Sequence, residues 1–456
     1  GNSNTALGKE AMKLNTTGAN NVAVGHHALN VNTSGGSSVA AGYGALGANT
    51  TGGNNTALGH STLAANTTAA NNVAVGHEAL TANTTGGTNT AVGASALGSN
   101  TTGAENVGMG TEAMQFTTTG TSNVSMGYRA LRANTTATGN TAVGRGALEA
   151  NTTGHSNVAV GWLALDANTT AASNTGVGTS SLGATTTGDL NVAVGTNALQ
   201  TNTVGDRSTA VGYGALNLQN PSSNADMNNV AVGLNAGASV TTGTGNTLLG
   251  AEAGDSVNTG VRHTVIGFNS GVNLTGGNDC IAIGEGTNLS TAAASSEIVL
   301  GNDVTCTAAG NFTFGSGTSD SNITNGATTI TAPSDIRLKE DIQDEEVGLD
   351  FINDLRPVTF QWKKEKDIPS DMKAYKEGSE ERTMNGKYNH GFIAQEVKEV
   401  IDNHNLKDGF DMWMKDETDG RQRLGPSALI PMLVKAIQEQ NALIESLTAR
   451  ITTLEG

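Results

Sequence analysis

Through most of the chain a short unit, Asn-Thr/Val-Ala-Val/Leu-Gly, returns with its glycine at positions 8, 25, 42, 59, 76, 93, 110, 127, 144, 161, 178, 195 and 212. After one interruption it resumes at Gly233, Gly250, Gly267, Gly284 and Gly301, again 17 apart, which makes eighteen glycine positions. A 17-residue period is too short for a helix pair and fits one coil of a parallel β-solenoid, or β-roll. Three residues before each glycine stands Thr or a β-branched apolar residue (Thr5, Val22, Val39), and one before it a larger apolar residue (Leu7, Val24, Leu58). These alternate about a small residue (Ala6, Ala23, Ala57), the pattern of a strand with one face turned inward. The glycine itself is expected to take positive φ or to let another backbone approach. A second segment, Ala-Leu three and four residues past the glycine (Ala28-Leu29, Ala79-Leu80, Ala147-Leu148), leads into a turn such as Asn83-Thr84-Thr85-Gly86. Asn and Thr there can stack coil upon coil and bond the turn backbone. At about 4.8 Å per coil, the coils make a rod of roughly 85 Å.

The pattern then changes three times. Tyr213 to Asn228 carries four extra residues, and after it Ala-Leu becomes Ala236-Gly237, Ala253-Gly254 and Ser270-Gly271 while the small column grows to Leu248, Val265 and Val299. These changes predict an altered cross-section near residue 220. Residues 302 to 333 lose the period but keep β-type residues such as Asn311-Phe312-Thr313-Phe314, as a segment covering the solenoid's end would. From residue 334 the sequence is ordinary charged α/β. A short helix is expected from Asp350 to Pro357 with Phe351, Ile352 and Leu355 inward, a strand over Val358 to Trp362, a polar excursion from Lys363 to Lys387, and a helix opened by Phe392 to Val397. Apolar residues at Ile430, Leu433, Ile437, Ile444, Leu447, Ile451 and Leu454, with Gln440 at the one polar seam site, form an a/d heptad long enough for a coiled coil. The expected organisation is a regular shaft (1–212), a second repeat subtype (213–301), a distal cap or tip (302–333), a small α/β domain (334–427) and a coiled-coil helix (428–456).

A single 17-residue coil encloses few apolar side chains, so a lone chain would be a thin solenoid. Three chains about an axis would bury the small column and remove exposed faces. Near-identical coils also cannot fix their own register, because a slip of one repeat costs few contacts, and long parallel β assemblies form slowly and misassociate. A C-terminal domain that trimerises first would align the ends.

The composition and the periodicity both change at Ala332-Pro333-Ser334-Asp335-Ile336-Arg337-Leu338-Lys339. A serine and a lysine five residues apart at such a seam suggest a chain that cuts itself, Ser334 attacking the Pro333 carbonyl and Lys339 taking its proton. That chemistry requires a lysine held neutral by burial. The run Ser334 to Ile342, then Phe360-Gln361-Trp362-Lys363, then Gly391 to Val397, then Ala428 to Glu439, resembles the intramolecular chaperone, or auto-processing, domain at the C-termini of phage tail spikes and tail fibres of the endosialidase type. The resemblance implies a trimeric folding clamp released by cleavage just before Ser334, with Ser334 as nucleophile and Lys339 as its base. The upstream array is loosely similar to the β-roll heads of trimeric autotransporter adhesins and to tail-fibre shaft repeats.

Composition narrows the function further. The chain is 14% charged and 4% aromatic with 61 glycines, and its net charge of −17 is shared between both parts. No basic stripe offers itself to nucleic acid or an anionic membrane, and no nucleic-acid partner is expected. Cys280 and Cys306 lack metal-type spacing and read as small buried hydrophobes. His26, His60 and His77 share one column, but as exposed loop residues they predict no metal, and no cofactor is expected. Asn-Thr-Thr triplets match glycosylation acceptors, yet a turn column explains them. Polysaccharide hydrolysis would need paired carboxylates and aromatic platforms, and upstream of residue 334 stand one tryptophan, Trp162, and no clustered acidic pair. The N-terminus lacks a signal peptide, no apolar run reaches a membrane span, and Gly1 begins inside a repeat, so a longer parent chain is expected. The leading expectation is a homotrimeric tail-fibre shaft or receptor-binding fibre of a phage virion. It would assemble in the host cytoplasm, join other tail proteins through a missing N-terminal part, and meet a cell-surface glycan or outer-membrane receptor. At most it would be a single-turnover self-cleaving serine protease. The alternatives are a bacterial trimeric adhesin, which would need a membrane-anchoring barrel, a polysaccharide-degrading tail spike, and an ice-binding threonine array.

Overall fold

The computed structural model describes residues 1–456 except 318, 325–329, 332–333, 335, 371, 373, 385, 407–410, 416–420 and 456. Two compact units divide the chain, Gly1–Pro333 and Ser334–Gly456.

The first unit is a parallel β-solenoid. Each glycine of the period up to Gly284 closes a three-residue strand, and each strand pairs in parallel with the one a coil later, as Val73↔Thr90, Ala74↔Ala91 and Val75↔Val92 do. A single 20-stranded sheet results, running from Thr5–Leu7 to Ser319–Ile323. At Gly76 φ is +133°, and a Cβ there would stand 2.6 Å from the Gly93 oxygen of the next coil, so any side chain would collide with backbone. The turns stack as the strands do: Thr84 N donates to Thr101 O (2.9 Å) and Thr84 Oγ1 donates to the same oxygen (3.0 Å).

Two buried polar ladders run inside the coils. In one, Asn83 Nδ2 donates to Asn66 Oδ1 (3.0 Å) and to Gly86 O (2.9 Å). In the other, Asn89 Oδ1 accepts the Asn106 N–H (3.0 Å) while Asn89 Nδ2 donates to Gly103 O (2.8 Å). Asparagine suits this work because its amide donates and accepts along the stack at once, leaving turn backbone satisfied without water.

The small column points into the coil: Ala23, Ala57, Ala74 and Ala91 have no exposed surface, and the leucines of the second segment pack on them. The expectation that assembly would bury the small column is therefore corrected, since one chain already buries it. A coil this narrow has room inside for alanine on the strand and leucine opposite, so the larger apolar columns turn outward. Val22, Val39, Leu58, Met109, Met126, Leu249 and Leu300 all lie on this outer face, each about two-fifths exposed.

The leucines carry a backbone cost. Leu80, for instance, adopts φ of 51° while fully buried, a left-handed conformation that costs an ordinary residue about 1–2 kcal/mol. After the interruption this position becomes Gly237, Gly254 and Gly271, also at positive φ, and Leu248 fills the vacated space: a Cβ on Gly237 would lie 2.4 Å from Leu248 Cδ1. The asparagine ladder that ends at Asn202 and Gln219 gives way to buried Val240, Val257 and Leu274. What changes near residue 220 is thus the filling of the core. Within the interruption Ala225–Asp226 pairs in parallel with Gly205–Asp206 of the preceding coil, while Thr209 still pairs with Val230. At the far end Phe312–Ser316 continues the sheet in parallel, and Ser319–Ile323 turns back antiparallel upon it, ending the stack.

The second unit holds helix α1 (Leu349–Asp354), helix α2 (Ala394–Asn403) and helix α3 (Leu429–Glu455), with antiparallel pairs Val358–Phe360 with Asn389–Gly391 and Trp413–Lys415 with Gln422–Leu424. Phe351 and Leu355 pack with Val397, Ile401, Met412, Leu429 and Met432 in its core. The expected helix over 350–357 ends early, because Leu355 is already extended ahead of Arg356-Pro357.

Candidate functional site

The site begins at the first residue of the second unit. Ile336–Leu338 forms one 3₁₀ turn, and the Lys339 N–H donates to Ile336 O (3.2 Å). This tight reversal carries Lys339 back toward Ser334, placing Nζ 2.8 Å from Ser334 Oγ. The two residues singled out by spacing are therefore within proton-transfer distance, which a nucleophile and its base require. Pro333, the other half of the expected cleavage site, lies outside the described residues.

The setting differs from the expectation in one respect. Ser334 and Lys339 are both exposed, so the burial expected around the lysine is not found among the described residues of this chain. The sequence explains why: Glu340 to Glu346 supplies five carboxylates and only Ile342 as a large apolar group. Ile336 and Ile342, which bracket Lys339, are themselves 72% and 63% exposed.

Downstream, one polar contact ties this segment to α3. Glu439 Oε2 accepts the N–H of Leu349 at 2.7 Å, at the start of α1. Gly348, just before it, leaves room for that carboxylate, since a Cβ there would stand 2.3 Å from Oε2. Beside it, His404 Nε2 lies 2.8 Å from Asp354 Oδ2 and its ring packs edge-on against Phe351.

Helix α3 has two apolar faces. Leu429, Met432 and Ala436 are buried against the unit's own core. The heptad residues Ile430, Leu433, Ile437, Ile444, Leu447, Ile451 and Leu454 are all exposed, from 43% to 85%.

Residues 334–406 match the family model described as Chaperone of endosialidase. The match starts at the boundary between the two units and leaves the solenoid uncovered. A chaperone segment of this kind behind a long β-solenoid is consistent with a tail fibre or tail spike. No curated protein and no solved structure matches the chain.

Other candidate residues fall as follows. His60 and His77 stack at 5.2 Å, and Tyr43 stacks between His60 and His26, so these rings bury their faces on one another. No cluster of three metal-type ligands occurs among the described residues. Cys280 and Cys306 are buried and unbridged, and burial pushes both thiols up. Among the described residues no helix is long and apolar enough to cross a membrane. Two carboxylates far apart in sequence do come together: Glu149 and Asp166 sit one coil apart in a single column, and burial, with Glu149 beside it, pushes the Asp166 carboxyl up. The 17-residue period, applied to charged and aromatic residues as well as to apolar ones, would have found them.

Proposed function

We propose that the chain is the shaft of a homotrimeric phage tail fibre used in host attachment, aligned by its C-terminal unit and then released from it by cleavage before Ser334. The observation that carries this reading is the coincidence at one residue of three things: the boundary between the two units, the start of the chaperone match, and a serine hydroxyl 2.8 Å from a lysine amine.

In the cleavage step Ser334 Oγ adds to the Pro333 carbonyl carbon and Lys339 Nζ takes the hydroxyl proton. The Pro333–Ser334 C–N bond then breaks, the departing amine takes a proton, and water hydrolyses the ester left on Oγ. A neutral amine is needed at the outset. Because both groups are exposed in one protomer, the surroundings that favour it would come from neighbouring copies, for which exposed Ile336 and Ile342 are suitable contacts. Cleavage would then follow assembly, keeping the aligning device attached until it has acted.

Two faces support trimerisation. Among the described residues the heptad stripe of α3 is exposed, and the outer sheet face of the solenoid presents one column that is apolar in all eighteen repeats beside one of Thr, Val or Ile, without a charged residue in either. Burying apolar area of this kind is worth about 25 cal/mol per Å². An unpaired face would instead mark an association site. The test is denaturing mass measurement of the wild type beside Ser334→Ala and Lys339→Ala. Wild type should give two fragments and each variant one full-length chain. A wild type that stays whole while assembled would remove the self-cleavage step.

A further inference from the structure

We propose that the flank of the shaft at Tyr128, Arg145 and Trp162 binds a carboxylate-bearing oligosaccharide, an inference that rests on the reading of the chain as an attachment fibre. The three residues occupy one column in three successive coils, each directly after a glycine of the period. Arg145 lies 5.9 Å from the Tyr128 ring centroid, and Arg129 lies 4.9 Å from it on the neighbouring column. Trp162, the one tryptophan upstream of residue 334, is 50% exposed.

Charge is concentrated here as nowhere else on the shaft. Of seven Lys and Arg residues before position 334, three are Arg129, Arg132 and Arg145. Arg129 and Arg132 are held by Glu112 at 2.8 and 3.0 Å, and Arg129 also faces Glu149 at 3.9 Å. Arg145 alone of the three has no carboxylate within 4.0 Å among the described residues. A guanidinium without a counter-ion, in a column with two large aromatic rings, matches a planar carboxylate on a sugar whose C–H face can lie on a ring. Trp, Tyr and Arg are also the residues on which binding energy concentrates.

The surroundings narrow the ligand. Glu149 and Asp166, one coil apart beside this column, offer acceptors for sugar hydroxyls. The sparse basic charge of the shaft, seven Lys and Arg before position 334, suits a ligand with isolated carboxylates rather than a densely charged polyphosphate. The solenoid supplies rigidity, because consecutive coils are locked by strand and turn hydrogen bonds, as in Val158↔Thr175, so little ordering remains to be done on binding.

The test uses the full chain on immobilised oligogalacturonate, sialyllactose and hyaluronan fragments beside neutral counterparts, methyl-esterified galacturonate and lactose. At least one acidic member should be retained over its neutral counterpart by about tenfold or more, the range of a desolvated charge-assisted contact. Arg145→Gln should abolish that preference. Trp162→Ala should weaken all retention while Trp162→Phe keeps part of it. Retention of no acidic member above its counterpart, or equal retention by Arg145→Gln and Trp162→Ala, overturns the proposal. Trimer mass and self-cleavage measured on the same samples report on the assembly reading separately. A variant that loses its trimer mass also overturns the proposal, by placing the patch between copies of the chain.

Discussion

The exchange of core filling near residue 220 can be transplanted. In regular coils a buried leucine at positive φ faces the small strand residue eleven positions later: Leu97 Cδ1 lies 3.3 Å from where a Cβ on Gly108 would be. Leu80 and Ala91 stand in the same relation, and both are fully buried. Leu80→Gly removes a leucine from the core at about 3–5 kcal/mol and recovers about 1–2 kcal/mol of backbone strain, a net loss of roughly 2–3 kcal/mol. Ala91→Leu overfills the same space and costs about 1–3 kcal/mol. Independent effects would sum to about 3–6 kcal/mol, but the pair recreates the Gly237–Leu248 arrangement, so the double variant should lie within about 1 kcal/mol of wild type, a coupling of at least about 2 kcal/mol. Hydrogen exchange of the full chain measures this locally, because stability in a stack of coils is a sum of neighbour terms. The Leu80 amide, which donates to Ala96 O at 3.0 Å, is the natural reporter. Additivity of the two single effects within about 0.5 kcal/mol would refute the reasoning.

Two shorter predictions follow. His263 replaces asparagine in the inner ladder, its Nδ1 accepting the Cys280 N–H at 3.2 Å, and burial pushes its pKa below the ordinary histidine value. A depressed histidine pKa gives stability that is present above the unfolded value and lost as pH falls below it, so exchange protection around Cys280 should fall on acidification from pH 7.5 to 5, and His263→Asn should flatten that dependence; equal pH dependence in both proteins would contradict it. Leu447→Glu puts a charge on the exposed heptad face of α3 without touching its buried face, so sedimentation should show loss of the trimer while helix content is kept; an unchanged mass would remove the coiled coil from the assembly.

The repeat was legible in sequence because a strand that must pair with its own copy 17 residues on cannot drift, and the glycine that lets neighbouring backbones touch cannot be replaced. Helices α1, α2 and α3 were legible from apolar spacing in the same way. Which strand face pointed inward was not, since alternation distinguishes two faces without saying which is enclosed; the narrowness of the coil decides it in favour of alanine. The left-handed leucines were hidden as well, because nothing local distinguishes Leu80 from a leucine in an ordinary strand. At the candidate site the serine–lysine pairing followed from spacing, but the exposure of Lys339 depends on what lies around it in three dimensions, and the run Glu340 to Glu346 supplies almost nothing apolar to cover it.

Refolding from denaturant compares most directly what the C-terminal unit does. The full chain and a chain ending at Pro333 are diluted under identical conditions, and the mass and length of the products are followed by light scattering and electron microscopy. The full chain should give trimeric rods of uniform length, and the truncated chain staggered or aggregated products in lower yield. Truncated chains forming uniform trimeric rods as readily as the full chain would contradict the role assigned to residues 334–456.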